Sequence, residues 1–121
     1  MIRLVHCVRR RPDLSVEAFR RFWSGAAFDE LLEELARATG AVRVEKNLTL
    51  LIDVNETLMQ ERGTAEPFDG ILEVWWRQAR GLQERLGDPA IREALERMTD
   101  YQRQFIDFPH SRRFFTEWAS D

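Results

Sequence analysis

The chain has one cysteine, two histidines and one tyrosine in 121 residues, and no stretch approaches the roughly eighteen consecutive apolar residues that cross a bilayer. One cysteine excludes an intramolecular disulfide. The histidines, His6 and His110, lie far apart with no cysteine or carboxylate at ligand spacing, so neither a metal site nor a cofactor is expected. An excess of basic charge is also missing. The formal net charge is -3, which excludes a protein that grips phosphate backbones along its length. Residues 1–25 lack the apolar core of a secretory leader, because Arg3, Arg9, Arg10, Arg11 and Asp13 interrupt it. A soluble cytoplasmic protein is expected, with no nucleic acid and no membrane among its partners.

What is present suits a packed interior. Apolar residues make up 44% and aromatics 11%, and the length suits one domain over residues 1–121. Ile2 to Arg9 alternates with period two and reads as a strand ended by Pro12. Ser15 then caps a helix with Glu17 in its first turn and Leu14 stapled against Phe19. This helix carries Phe19, Phe22, Trp23, Leu31, Leu32 and Leu35, bends at Gly25 and stops at Gly40. A second strand runs from Ala41 to Ile52, its apolar face broken by Lys46, followed by a polar connection from Asp53 to Pro67 with a short helix near 56–61. A third strand covers Phe68 to Trp76. Helical patterning occupies Ala79 to Leu86 and resumes at Pro89, capped by Asp88, as far as Met98. Ser111 to Trp118 forms a fourth strand. The order β-α-β-β-α-β gives an α+β, ferredoxin-like fold: a four-stranded antiparallel sheet with its helices on one face.

Three segments together resemble the EthD-like branch of the dimeric α/β barrel proteins: "RLVHCVRRRPDLSVEAFRRFW", "FDGILEVWW" and "TDYQRQFIDFPHSRRFFTEW". Asp100, Phe105, Asp107 and Glu117 stand where that pattern expects them, and only the connection from Asp53 to Pro67 is unmatched. The resemblance implies a homodimer in which two sheets pack face to face around a cavity in each half. Members include isomerases, cyclases and cofactor-free oxygenases. One departure bears on chemistry: the histidine that family members with proton-transfer chemistry carry four residues after the helix tryptophan is Ala27 here. The heme-degrading relatives share a third-strand tryptophan, matched by Trp75, but need a histidine in the second helix, and residues 77–100 contain none.

Independently of the resemblance, both faces of the third strand are apolar, so a lone domain would leave Trp75 in water. With the more uniformly apolar face of each strand given to the helices (Ile2, Leu4, Val8, Val42, Val44, Leu72, Val74, Trp76, Phe114, Trp118), the opposite, barrel face holds Val5, Cys7, Arg43, Glu45, Asn47, Ile71, Glu73, Trp75, Arg113, Phe115 and Glu117. Glu73, between Ile71 and Trp75, is the candidate catalytic acid or base, since apolar surroundings raise a carboxylate's pKa. The simpler reading pairs it with an arginine such as Arg43 or Arg113. Ile71, Trp75, Cys7, Val5, Arg43 and Phe115 are the candidate cavity lining. Cys7 reads as a small buried hydrophobe rather than a nucleophile, His6 as a core histidine hydrogen-bonded locally, and His110 as a capping or pairing group at the strand entry. Arg9, Arg10 and Arg11 read as solvated charges where the strand leaves the sheet, with Arg9 as an alternative clamp for an acidic substrate. The expected function is that of a small-molecule enzyme acting on an aromatic or polyketide-like ligand in an apolar barrel cavity, as isomerase, cyclase or cofactor-free oxygenase. The alternative is a non-catalytic homodimeric module for a ligand or partner. An unpaired, desolvated Glu73 favours the first; an arginine-paired Glu73 favours the second.

Overall fold

The structure, a computed structural model, describes residues 1–117. Its elements are β1 (Ile2–Val8), α1 (Val16–Ser24), α2 (Ala26–Thr39), β2 (Arg43–Leu48), α3 (Asp53–Arg62), β3 (Gly70–Trp76), α4 (Leu82–Leu86), α5 (Pro89–Gln102) and β4 (Arg112–Glu117). The strands pair antiparallel in the order β2-β3-β1-β4, which is the ferredoxin-like arrangement expected from the sequence. The core fills the space between the sheet and the helices, built from Val8, Leu72, Val74 and Trp76 on the strands and Phe19, Trp23, Phe28, Leu32 and Met98 on the helices.

Gly25 divides the long first helix into α1 and α2. Its backbone is extended (φ -72°, ψ 150°), and the break exposes carbonyls that other elements must satisfy. Tyr101 of α5 donates its hydroxyl to the Phe22 carbonyl at 2.6 Å, and Lys46 of β2 donates to the Trp23 carbonyl at 2.6 Å. Lys46 also pairs with Asp29 at 2.6 Å and lies 4.9 Å from the Phe28 ring. The lysine that interrupts the apolar pattern of the second strand is thus the residue that ties this strand to the helix break. Ser15 caps α1 as its sequence position requires, accepting from the Ala18 N–H at 3.1 Å.

The helix layer rests on the sheet through a close approach at Gly70. A Cβ there would lie 2.9 Å from the Trp23 ring and 3.2 Å from the Asn47 carbonyl oxygen. The indole of α1 therefore sits directly over the first residue of β3.

The second strand and the connection after it differ most from the sequence reading. The second strand ends at Leu48, because the chain beyond it turns out of the sheet towards α3. That helix spans ten residues, Asp53–Arg62, with none of them buried. It is polar on most sides, which hid its extent from a search for apolar periodicity. Leu50, Leu51, Ile52, Val54 and Leu58 stand exposed along this excursion.

The arginine run is not the solvated patch expected from its sequence. Arg9 donates to the carbonyls of Pro67 (2.9 Å) and Glu66 (3.2 Å) and lies 4.7 Å from the Phe68 ring. The Arg10 backbone N–H donates to Asp69 at 2.7 Å, its guanidinium donates to the Leu14 carbonyl, and the residue bridges to Ile106. Arg11 pairs with Asp13 at 2.6 Å and donates to the Arg103 carbonyl at 3.2 Å. The three guanidinium groups hold three separate segments to the end of β1. The Arg9 guanidinium is engaged with chain carbonyls, which leaves the clamp role without support.

Candidate functional site

The strand registers define the sheet face that the helices leave uncovered. Arg43, Trp75, Arg3 and Thr116 stand side by side across β2, β3, β1 and β4; Glu45, Glu73, Val5 and Phe114 form the next row; Asn47, Ile71, Cys7 and Arg112 form the third. Ile71 and Phe114 are 37% and 49% exposed, Val5 and Cys7 half-buried. The face is therefore mixed: Val5, Cys7, Ile71 and Phe114 are apolar, and charged groups stand among them at Arg3 and Glu73, along β2 and at the start of β4.

Glu73 occupies the middle of this face, and it is paired. The Arg3 guanidinium donates to its carboxylate at 2.8 Å and, through Nε, to Thr116 at 3.3 Å. Arg3 and Glu73 sit diagonally on adjacent strands, close enough for a direct contact between long side chains. The arginine partner is Arg3, neither Arg43 nor Arg113. Arg43 pairs instead with Glu45 at 3.0 Å, which offsets the juxtaposition of Glu45 and Glu73 in the register.

Trp75 is only 5% exposed in the single chain, contrary to the expectation that a lone domain leaves it in water. Arg43 and Arg3 place their guanidinium carbons 4.7 and 5.8 Å from its ring centroid, a cation–π arrangement. The surface offered to a ligand at this row is cationic, with the indole beneath it.

The fourth strand is the other correction. Phe115, a candidate lining residue, is opposite Leu4 and therefore on the helix side, as are Arg113 opposite His6 and Glu117 opposite Ile2. Its ring centroid lies 5.9 Å from that of Trp76. Phe114 takes the place on the uncovered face. Adjacent phenylalanines give the strand the same apolar pattern in either phase, so alternation does not choose between them. Trp118, the other residue assigned to the helix side of this strand, lies outside the described residues.

Of the remaining candidates, His6 lacks the local side-chain hydrogen bond expected for it among the described residues. Cys7 lies on the uncovered face, where burial, and then the nearby Glu73 charge, push its thiol pKa up, the reverse of what a nucleophile needs. His6 is buried on the helix side, and burial followed by the Arg113 charge brings its pKa down to about 4. His110 contacts Asp107 at 2.9 Å. No group of three or more metal-ligating side chains occurs among the described residues, and none of their helices is long and apolar enough to cross a membrane. Sequence reasoning missed Arg3, Thr116 and Arg112. Their signal was in the register, which links β1 to both neighbours.

Neither a protein-family profile nor a curated protein sequence matches the chain. Solved structures do. A dimeric protein of unknown function and ferredoxin-like fold from Bacteroides fragilis superposes with TM-score 0.60 at 13% identity, covering 97% of this chain and 95% of its own. SnoaB, a cofactor-independent oxygenase from Streptomyces nogalater, gives TM-score 0.58 at 12% identity, with 99% and 94% covered. An Arabidopsis thaliana protein gives TM-score 0.58 at 14% identity, with 100% and 98% covered. At these identities the likeness is one of fold.

Proposed function

We propose that the protein is a homodimer of the EthD-like type that closes two uncovered sheet faces over a small molecule, and that it binds an aromatic or polyketide-like ligand there without using Glu73 to move a proton. The observation that carries this reading is the Arg3–Glu73 ion pair at 2.8 Å at the middle of the face. The Arg3 guanidinium already engages this carboxylate, so a ligand on the face meets an ion pair built into the sheet and not a free carboxylate. The same face supplies what a flat ligand needs: apolar surface from Val5, Ile71 and Phe114, and cationic donors from Arg43 and Arg3 for a phenolate or carboxylate oxygen. Dimerisation is supported by the exposure of Ile71 and Phe114 and by the dimeric state of the Bacteroides fragilis protein of like fold.

An enzyme on this same face is the second reading, favoured by the likeness of fold to a cofactor-independent oxygenase. Titration of the protein with 2-naphthoate, followed by ligand-observed NMR, tests the first. Binding to the dimer that weakens several-fold in Phe114→Ala and Arg43→Ala, and persists in Glu73→Gln, is the expected result. Binding indifferent to Phe114 and Arg43 overturns it. Turnover of a substrate that disappears in a dimeric, ligand-competent Glu73→Gln variant would move the assignment to the enzyme.

A further inference from the structure

Past the end of β2 and before the start of β3, a cleft of about 360 Å³ opens between α1, the connection from Thr49 to Ile52, α3, and the chain from Glu66 to Asp69. No residue of the described strands lines it, so it is distinct from the sheet face described above. Its volume is within the range of about 300–1,000 Å³ typical of small-molecule sites. Its outer wall, α3, belongs to the connection that the EthD-like pattern leaves unmatched. A ten-residue helix is marginal in water by itself and is ordinarily held by packing an apolar face. None of the residues of α3 is buried. Met59, and Ile52 just before the helix, line the cleft, whose other walls carry Val16, Phe19 and Phe68. Apolar surface on α3 and apolar surface on the body thus face one another across open space.

The charge of the lining is mostly of one sign. Carboxylates of Asp53, Glu56, Glu66 and Asp69 stand against a single guanidinium, that of Arg20. Arg20 is engaged with the Thr49 carbonyl at 2.7 Å, and Asp69 accepts from the Arg10 backbone N–H at 2.7 Å with the Arg10 guanidinium 3.7 Å away. The side chains of Glu56 and Glu66 have no ion pair or hydrogen bond among the described residues. They come from two separate segments. An acid in the first turn of α3 suits the helix dipole, which accounts for Glu56 but not for Glu66, beyond the end of the helix. Phe68 already takes a cation against its ring, the Arg9 guanidinium at 4.7 Å.

We infer that this cleft binds an organic monocation, a primary ammonium on an aromatic hydrocarbon body, whose charge meets Glu56 and Glu66 and whose body fills the space between α3 and α1. A cleft with apolar walls and an excess of one charge concentrates ligands of the opposite charge. The ammonium group has three N–H donors and no acceptor, so it can serve both carboxylates at once. A bare metal ion would leave the apolar walls unfilled. The aromatic body gives Ile52 and Met59 the packing that α3 lacks, so binding and the steadying of α3 are one event. The site does not rest on the reading of the uncovered sheet face.

Calorimetric titration of the full chain with tryptamine tests the inference. Saturable binding is expected, with indole-3-propionate, of the same body and reversed charge, and tryptophan, which adds a carboxylate, each at least about tenfold weaker. Glu56→Gln and Glu66→Gln should each weaken tryptamine several-fold and leave the melting temperature unchanged, since both side chains are exposed. Glu61→Gln, on α3 but outside the lining, should leave affinity within about twofold. Met59→Ala should weaken binding several-fold through lost apolar contact. Amide hydrogen exchange along α3 should slow when tryptamine is bound. Absence of saturable binding, equal or tighter binding of tryptophan or indole-3-propionate, indifference to both glutamates, or unchanged exchange along α3 would each overturn it. Loss of binding in Phe114→Ala in place of Glu66→Gln would put the amine on the sheet face and overturn it as well.

Discussion

Glu73 and Arg3 are 18% and 26% exposed at their side chains, between the surface regime, where an ion pair contributes little, and the interior, where breaking one is costly. Glu73→Gln is therefore expected to cost about 1–2 kcal/mol, and a double-mutant cycle with Arg3→Met in urea should return a coupling of the same size. A coupling near zero would mean that the pair contributes nothing to folding. The buried imidazole on the opposite side of the sheet makes stability depend on pH. In the unfolded chain His6 takes up its proton near the ordinary value of 6.5, and in the folded chain only near 4. Between those values the unfolded state binds more protons, so stability rises with pH through this window. The contribution is complete above about 6.5 and is lost as pH falls towards 4. Denaturation midpoints at pH 7.5 and pH 4.5 should differ more for the wild type than for His6→Gln, by up to about 3 kcal/mol in stability. At this scale the sequence showed which residues were unusual but not which ones meet: Glu73 stood out between apolar neighbours, while Arg3, its partner on the neighbouring strand, has no local mark.

Among elements, the seating of α1 on β3 depends on the missing side chain at Gly70. A Cβ 2.9 Å from the Trp23 ring cannot be accommodated without moving the indole or the strand, so Gly70→Ala is expected to destabilise by about 1–3 kcal/mol. Relief by Trp23→Leu in the same chain, relative to the sum of the single substitutions, would identify the clash as the cause; additive losses would refute it. Tyr101→Phe should cost about 1 kcal/mol, because it leaves the Phe22 carbonyl freed by the helix break without its 2.6 Å donor. The strands and the two long helical segments were legible because period two and period 3.6 are written in single residues. The split at Gly25 was partly legible as a bend. The extent of α3 was not, since a helix that buries nothing has no apolar stripe to reveal it. The phase of β4 was lost in the two adjacent phenylalanines, and only pairing with β1 decides it.

For the whole molecule the open question is what covers the second face of the sheet. Helices cover one face only, and the other leaves Ile71 and Phe114 in water beside half-buried Val5 and Cys7. A two-fold contact must complement itself. This face carries Arg3, Arg43 and Arg112 together with Glu45 and Glu73, so a second copy brings both signs of charge to it. A dimer of two 14.3 kDa chains is expected by light scattering at micromolar concentration, where an interface of about 1,600 Å² usually persists. Phe114→Glu combined with Ile71→Glu puts two carboxylates among the apolar contacts of each face, where burying an unpaired charge costs several kcal/mol. That variant should scatter as a monomer and retain its helical circular dichroism, because neither side chain belongs to the core. A wild-type chain that scatters as a monomer, or a double variant that stays dimeric, would show that the sheet faces do not meet, and the proposed barrel site would fall with them.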